Sequence, residues 1–242
     1  MKTVISIHNF TFRYVVKDIL KDISLDIKEG EIIGLLGENG AGKTTLLNCI
    51  YGFLGTQQEI DVVSTTPCFD NEIIKTNVSF MEDTPILLDY LNADQYLKFI
   101  CKIEQIDFDT IKQEVEKLIE KFNLEEEYQN KLLKDYSFGM KKKIQFIGSL
   151  IQNKKLVLID EPTNGLDVGM IILIKELIKE KNKKEHTTIL ISSHNTTFLQ
   201  DVCSRVLLFH DGKIIRDIDV ADDTDLESEF LKVKREERSL NE

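Results

Sequence analysis

Residues 37–44 read Gly-Glu-Asn-Gly-Ala-Gly-Lys-Thr, the spacing G-x4-G-K-[ST]. Glycines let the backbone wrap so that successive N–H groups point inward and form an anion nest. A helix starting at the end of the loop adds the positive end of its dipole. Lys43 supplies a charge for the β- and γ-phosphates of a nucleotide, and the Thr44 hydroxyl a ligand for Mg2+. A second stretch, "LVLIDEP", ends an apolar run in Asp160, where a carboxylate can hold Mg2+ through its waters. Glu161 lies one residue further on and can polarise an attacking water. His194 follows the apolar run "TTILISS"; a neutral imidazole at a strand's carboxyl edge can reach a γ-phosphate.

These residues need elements to hold them. "VISIHNFTFRY" alternates apolar and polar residues and predicts a half-exposed strand, and "ISLDIKEGEIIGLLG" predicts two strands joined by the turn "KEG". "GKTTLLNCIYG" then turns helical, with Leu46, Leu47 and Ile50 on one face. In "NADQYLKFICKIEQ" the apolar spacing predicts a helix capped by Asn92, and "DTIKQEVEKLIEKF" and "KKKIQFIGSLIQ" predict two more. "KLVLID" and "TTILISSH" read as strands buried on both faces of a parallel sheet. "RVLLFHDGKIIRDI" reads as a hairpin with an Asp-Gly turn. A capping box from Thr224 to Glu227 opens a short last helix. The expected organisation is an α/β core from residues 1–85 and 152–242, interrupted by a helical subdomain over 86–151.

The 242 residues carry a net charge of −11, which disfavours non-specific nucleic-acid binding and a polybasic membrane anchor. Cys49, Cys68, Cys101 and Cys203 lack CxxC or zinc-ligand spacing and read as reduced thiols of a cytoplasmic protein. There is no signal-peptide pattern at the start and no apolar run of membrane-spanning length.

The ordered set "GENGAGKTT", "LVLIDEP", "NGLD" and His194 resembles the ATPase subunit of an ABC transporter along nearly the whole chain. The resemblance implies a P-loop NTPase core with an N-terminal antiparallel β region and an inserted helical subdomain. It implies ATP and Mg2+ held by Gly37, Asn39, Gly40, Ala41, Gly42, Lys43, Thr44 and Thr45, with Tyr14 stacked on adenine and Thr44 and Asp160 toward the metal. Glu161, His194 and Lys43 would act on the γ-phosphate. "YSFGM", residues 136–140, falls where the family has its signature, usually LSGGQ. Two ATPase domains of this family meet head to tail, so Ser137, Gly139 and the D-loop Asp167 would face nucleotide held by a second subunit, identical or paralogous. Asp83 falls where the family places a glutamine near Mg2+ and the attacking water; a carboxylate there can hold a metal-bound water but adds negative charge beside the γ-phosphate. The implied partner is a membrane permease docked on the helical block at the cytoplasmic face. The short insert and the signature resemble exporter subunits for peptides, bacteriocins or drugs, or for immunity to them. A soluble ABC protein acting on ribosomes or DNA, and a regulatory subunit with little turnover, are the alternatives.

Overall fold

The computed structural model describes residues 2–55, 59–68, 71–221 and 223–240. Strands β1 (Thr3–Tyr14) and β2 (Lys17–Lys28) form an antiparallel pair that β4 (Ile60–Val62) extends beside β1; between them in the chain come β3 (Ile32–Leu36) and helix α1 (Lys43–Tyr51). Helix α2 (Glu72–Asn77) and strand β5 (Val78–Met81) follow, then α3 (Ala93–Ile103), α4 (Phe108–Lys121) and α5 (Phe138–Leu150). The second half alternates: β6 (Leu156–Asp160), α6 (Val168–Glu185), β7 (Thr188–Ser193), α7 (Thr196–Val202), β8 (Arg205–His210), β9 (Lys213–Asp219) and α8 (Leu226–Leu240).

The larger sheet has the order β5-β6-β7-β3-β8-β9, parallel except for the β8–β9 hairpin. The two-residue alternation of its buried strands sorts side chains to opposite faces. Ile33, Leu35, Leu158, Leu190 and Leu207 join α1 and the antiparallel sheet in one apolar cluster. Ile32, Leu36, Ile159, Ile191 and Leu208 join α6, α7 and the three helices α3–α5 in the other. Helix α1 is thus packed against both sheets. Strands apolar at every position are what such two-sided burial requires.

The strands on either side of "KEG" are not a hairpin. Gly30, at φ 79°, turns the chain out of the smaller sheet and into the larger. Asn92 caps α3 with a reciprocal box to Gln95. The last helix is capped by Asp225 rather than Thr224: Asp225 Oδ1 accepts from Ser228 N at 3.0 Å, while Thr224 Oγ1 accepts from Ala221 N. The Asp-Gly turn of β8–β9 has both residues at positive φ, 42° and 77°, as a two-residue hairpin loop requires. Strand β5 was not legible, because "NVSFMED" carries too short an apolar pattern; it exists because β6 offers it an edge, Val78 to Met81 against Leu156 to Ile159.

Ends of neighbouring strands decide what meets what. Asp160 is opposite Ser192 across β6–β7, and Leu36 opposite Ser193 across β3–β7. The carboxyl ends of these three strands therefore bring together residues 37, 160–161 and 192–194, far apart in the chain. Gly37 is fixed there by packing: a Cβ would lie 2.3 Å from the carbonyl oxygen of Phe209 on β8. Gly37→Ala is expected to destabilise the fold by about 2 kcal/mol, as overpacking does, seen as a lower urea midpoint. An unchanged midpoint would mean that the turn after β3 shifts freely.

Candidate active site

A cleft of about 420 Å³ opens at these strand ends. The loop from β3 wraps into it and closes at Gly42, φ 108°, the cap residue of α1. Helix α1 has no side-chain cap and no acidic residue in its first turn, so its first amides and its dipole are left to an anion. The Lys43 side chain is almost fully buried, 5% exposed, and folds back so that Nζ donates to the carbonyls of Gly37 (2.7 Å) and Glu38 (3.1 Å). That clamp sets the ammonium inside the loop rather than in solvent.

The opposite wall is carboxylate. Thr44 Oγ1 donates to Asp160 Oδ2 at 2.7 Å, and Ser192 Oγ donates to Asp160 Oδ1. Glu161 is 6% exposed and sits at φ 45°, a left-handed conformation that costs a non-glycine residue free energy. Its N–H donates to the Ser192 carbonyl at 3.1 Å. Its Oε2 lies 2.9 Å from His194 Nδ1 and accepts from Ser193 Oγ at 3.4 Å. Its Oε1 is 3.4 Å from Lys43 Nζ, an ion-pair distance, yet buried without a hydrogen-bond partner. A buried acceptor left unmatched is expensive in an otherwise satisfied interior and marks a place for a ligand atom.

Of the residues singled out from sequence, Tyr14, Asn39, Gly40, Gly42, Lys43, Thr44, Thr45, Asp83, Asp160 and Glu161 line this cleft. Burial raises the Tyr14 hydroxyl above its usual range, with a smaller push from Cys49. Gly37 stands behind the cleft against Phe209, and Ala41 is buried, its carbonyl accepting from Gly212 N. His194 reaches the site through Glu161. Ser137, Gly139 and Asp167 do not line it. Ser137 is exposed and caps α5, its Oγ accepting from Met140 N at 3.3 Å. Asp167 caps α6, accepting from Met170 N. A Cβ on Gly139 would lie 3.1 Å from the Gly165 carbonyl, and the Phe138 ring packs over Gly165. The signature segment and the D-loop thus form one exposed surface beside the cleft.

Sequence reasoning missed three contributors, Ser192, Ser193 and Lys142, and quoted Asn164 only as the first residue of "NGLD", without a role. The serines were read only as part of a strand. Lys142 was hidden in the run "KKK", although it is spaced i, i+4, i+7 with Phe146 and Ser149, on the buried face. Its Nζ is 3.0 Å from Asp83 Oδ1, so Asp83 reaches the cleft already paired.

The ABC transporter family profile matches residues 20–164. The chain is 33% identical over 228 residues to the uncharacterized ABC transporter ATP-binding protein YdbJ of Bacillus subtilis, covering 93% of this chain and 72% of that protein. It is 29% identical to the SkfA peptide export ATP-binding protein SkfE of the same organism, covering 89% of each. Its fold matches a solved dimeric post-hydrolysis state of the ATP-binding cassette MJ0796 bound to ADP and phosphate, with a TM-score of 0.77 at 22% identity, over 90% of this chain and 99% of that one. A profile match over more than half the residues, joined to this phosphate loop and its carboxylate wall, means that the chain belongs to the ABC transporter family as an ATP-binding subunit, with ATP hydrolysis as its activity.

Proposed function

We propose that the cleft binds ATP with Mg2+, that Glu161 polarises the attacking water, and that hydrolysis drives a separate membrane permease. The carrying observation is that Lys43 and Thr44, at the start of α1, face Asp160 and Glu161, at the carboxyl end of β6, with Glu161 Oε1 buried and lacking a hydrogen-bond partner. The residues fit both groups. The uncapped start of α1 and the clamped Lys43 suit phosphates. Thr44 and Asp160 offer the hard oxygen donors that Mg2+ takes, and Mg2+ needs few protein ligands when it also binds phosphate. When bound, Mg2+ neutralises charge on the phosphates.

The chain's own residues do the rest. Lys43 stabilises charge on the terminal phosphate. Glu161 accepts a hydrogen bond from the water through Oε1, while His194 and Ser193 hold Oε2 and so fix the carboxylate's orientation. Tyr14 offers its ring to the base at the cleft's mouth. Ser137, Gly139 and Asp167 meet the nucleotide of a second subunit; the solved MJ0796 cassette, of the same fold, is a dimer.

Residues 86–151 are proposed as the subdomain that receives the permease. A groove of about 230 Å³ between this block and the core is lined by Tyr51, Ser79, Phe80, Ile86, Tyr96 and Gln145. Ser79 Oγ and Gln145 Oε1 are buried there without partners, and Ile86 is 72% exposed. Burial, with a smaller push from Asp160, raises the Glu82 carboxyl in the same groove. Among the described residues no helix is long and apolar enough to cross a membrane, so the membrane step belongs to that partner. Export of a peptide, bacteriocin or drug, or immunity to one, is the transport reading the signature type favours, and SkfE is a relative named for peptide export.

Affinity purification from detergent-solubilised membranes is expected to retain a multi-span protein with the parent chain. Ile86→Asp is expected to lose most of it while ATP hydrolysis by the isolated subunit changes less than about twofold, since Ile86 lines this groove and not the nucleotide cleft. Co-purification of ribosomes or DNA in place of a membrane protein would overturn the transport reading.

A further inference from the structure

We propose that Lys142 is a positioning residue of the hydrolytic site, cancelling the charge of Asp83 and tying the signature helix to the backbone of Glu161. The inference rests on the role proposed above for Glu161.

Three consecutive lysines, residues 141–143, follow the first turn of α5, and the helix's rotation of about 100° per residue sends each elsewhere. Lys141 Nζ reaches Asp89 at the surface, 2.8 Å away. Lys143 Nζ donates to the Phe122 carbonyl at the end of α4. Lys142 turns inward and is 0% exposed. A fully buried ammonium is tolerated only when its charge and all three donors are met. Here they are met by Asp83 Oδ1 (3.0 Å), the Asp83 carbonyl (3.2 Å) and the Glu161 carbonyl (2.6 Å). Asn164, in the D-loop, donates to the same Asp83 oxygen at 3.1 Å. The Phe138 ring of the signature segment lies 5.7 Å from Nζ.

Every acceptor of Lys142 therefore belongs to a residue lining the nucleotide cleft. Two consequences follow. Asp83 stands in the cleft as half of a neutral pair, so it adds little net charge beside the phosphates. Glu161, in its left-handed conformation, has its N–H held by β7 and its carbonyl held by α5. A shift of α5 at the signature would be passed to the carboxylate through one buried ammonium. Such a link acts on turnover more than on ATP affinity, because the three acceptors of Lys142 lie on Asp83 and Glu161 and not on the phosphate loop.

The test compares the parent chain, Lys142→Gln, and the double variant Asp83→Asn with Lys142→Gln. Phosphate release is followed against ATP concentration, and thermal unfolding is followed without nucleotide. Lys142→Gln is expected to lower kcat at least about tenfold with KM within about threefold. It is also expected to melt at lower temperature, since Asp83 is left unpaired. The double variant, neutral at both positions, is expected to regain most of the lost kcat and melting temperature. A double variant no faster than the single, or KM rising in step with the loss of kcat, would overturn the proposal. If the single variant fails to fold, the comparison passes to the double: a melt near that of the parent supports charge pairing, and failure to fold refutes it. Failure of the Glu161 role is read separately, as unchanged turnover in Glu161→Gln, and leaves the nucleotide-free melting comparison standing.

Discussion

Glu161→Gln is expected to bind ATP like the parent chain and to release phosphate on the order of a thousandfold more slowly, within the usual range for losing a general base. The substitution keeps the size of a side chain that is 6% exposed, so the fold should be retained. It removes the charge that Lys43 Nζ meets at 3.4 Å and puts an amide where Oε1 accepts no hydrogen bond. A water positioned for attack then lacks the anionic acceptor that polarises it. Nucleotide binding should survive, because it depends on the loop amides, on α1 and on Lys43, whose clamp to Gly37 and Glu38 does not involve Glu161. Sedimentation with ATP should show the variant accumulating as a dimer, since unhydrolysed ATP stays between the phosphate loop of one subunit and Ser137, Gly139 and Asp167 of the other. Unchanged phosphate release would sink the role given to Glu161 and leave His194 or a second subunit to supply the base.

The second large effect concerns the exposed surface beside the cleft. Ser137→Arg is expected to cut turnover on the order of a hundredfold, the usual consequence of removing a preorganised donor to developing charge. The ATP affinity of the isolated monomer should be unaltered. Loss of the Ser137 cap on α5 costs the fold about 1 kcal/mol, which a denaturation curve will register and which is too small to account for the rate. Because Ser137 does not line its own chain's cleft, two inactive variants should complement each other. Mixed before ATP is added, Glu161→Gln and Ser137→Arg form some dimers in which one site has both an intact Glu161 and an intact Ser137. With random pairing the mixture should recover about a quarter of the parent rate, because half of the dimers are mixed and each has one sound site of two. A mixture as slow as its components, or a fall in monomer affinity equal to the fall in turnover, would mean that Ser137 serves its own chain as a helix cap and nothing more.

Much of this was legible in the chain itself. The phosphate loop, the strand ending in Asp160 and the helix cap at Asn92 each depend on contiguous residues, so spacing is enough to reveal them. Lys142 was not legible: a run of three lysines looks like a solvated helix face until the phase of the helix is fixed by Ile144, Phe146 and Ile147 in the core. Asp83 was legible as a carboxylate near the site but not as a paired one. Its partners Lys142 and Asn164 lie 59 and 81 residues away in the chain. The capping box at Thr224 was misread by one residue, because Thr224 is taken up by the turn that precedes the helix.

Contiguous residues were enough to read the chemistry: glycines where a backbone must wrap an anion, a lysine and a threonine at the helix start, and two carboxylates at the end of a buried strand. These are local demands, met by neighbours in the chain. Which of these groups are left free to act follows from the packing of distant segments. Strand order set Asp160 against Ser192 and Thr44, the latter 116 residues away, and packing left Glu161 Oε1 without a hydrogen-bond partner while giving Asp83 a buried one. Whether a buried polar atom is satisfied depends on what the fold brings within about 3 Å of it. That is a property of distant segments meeting, and no spacing along the chain encodes it.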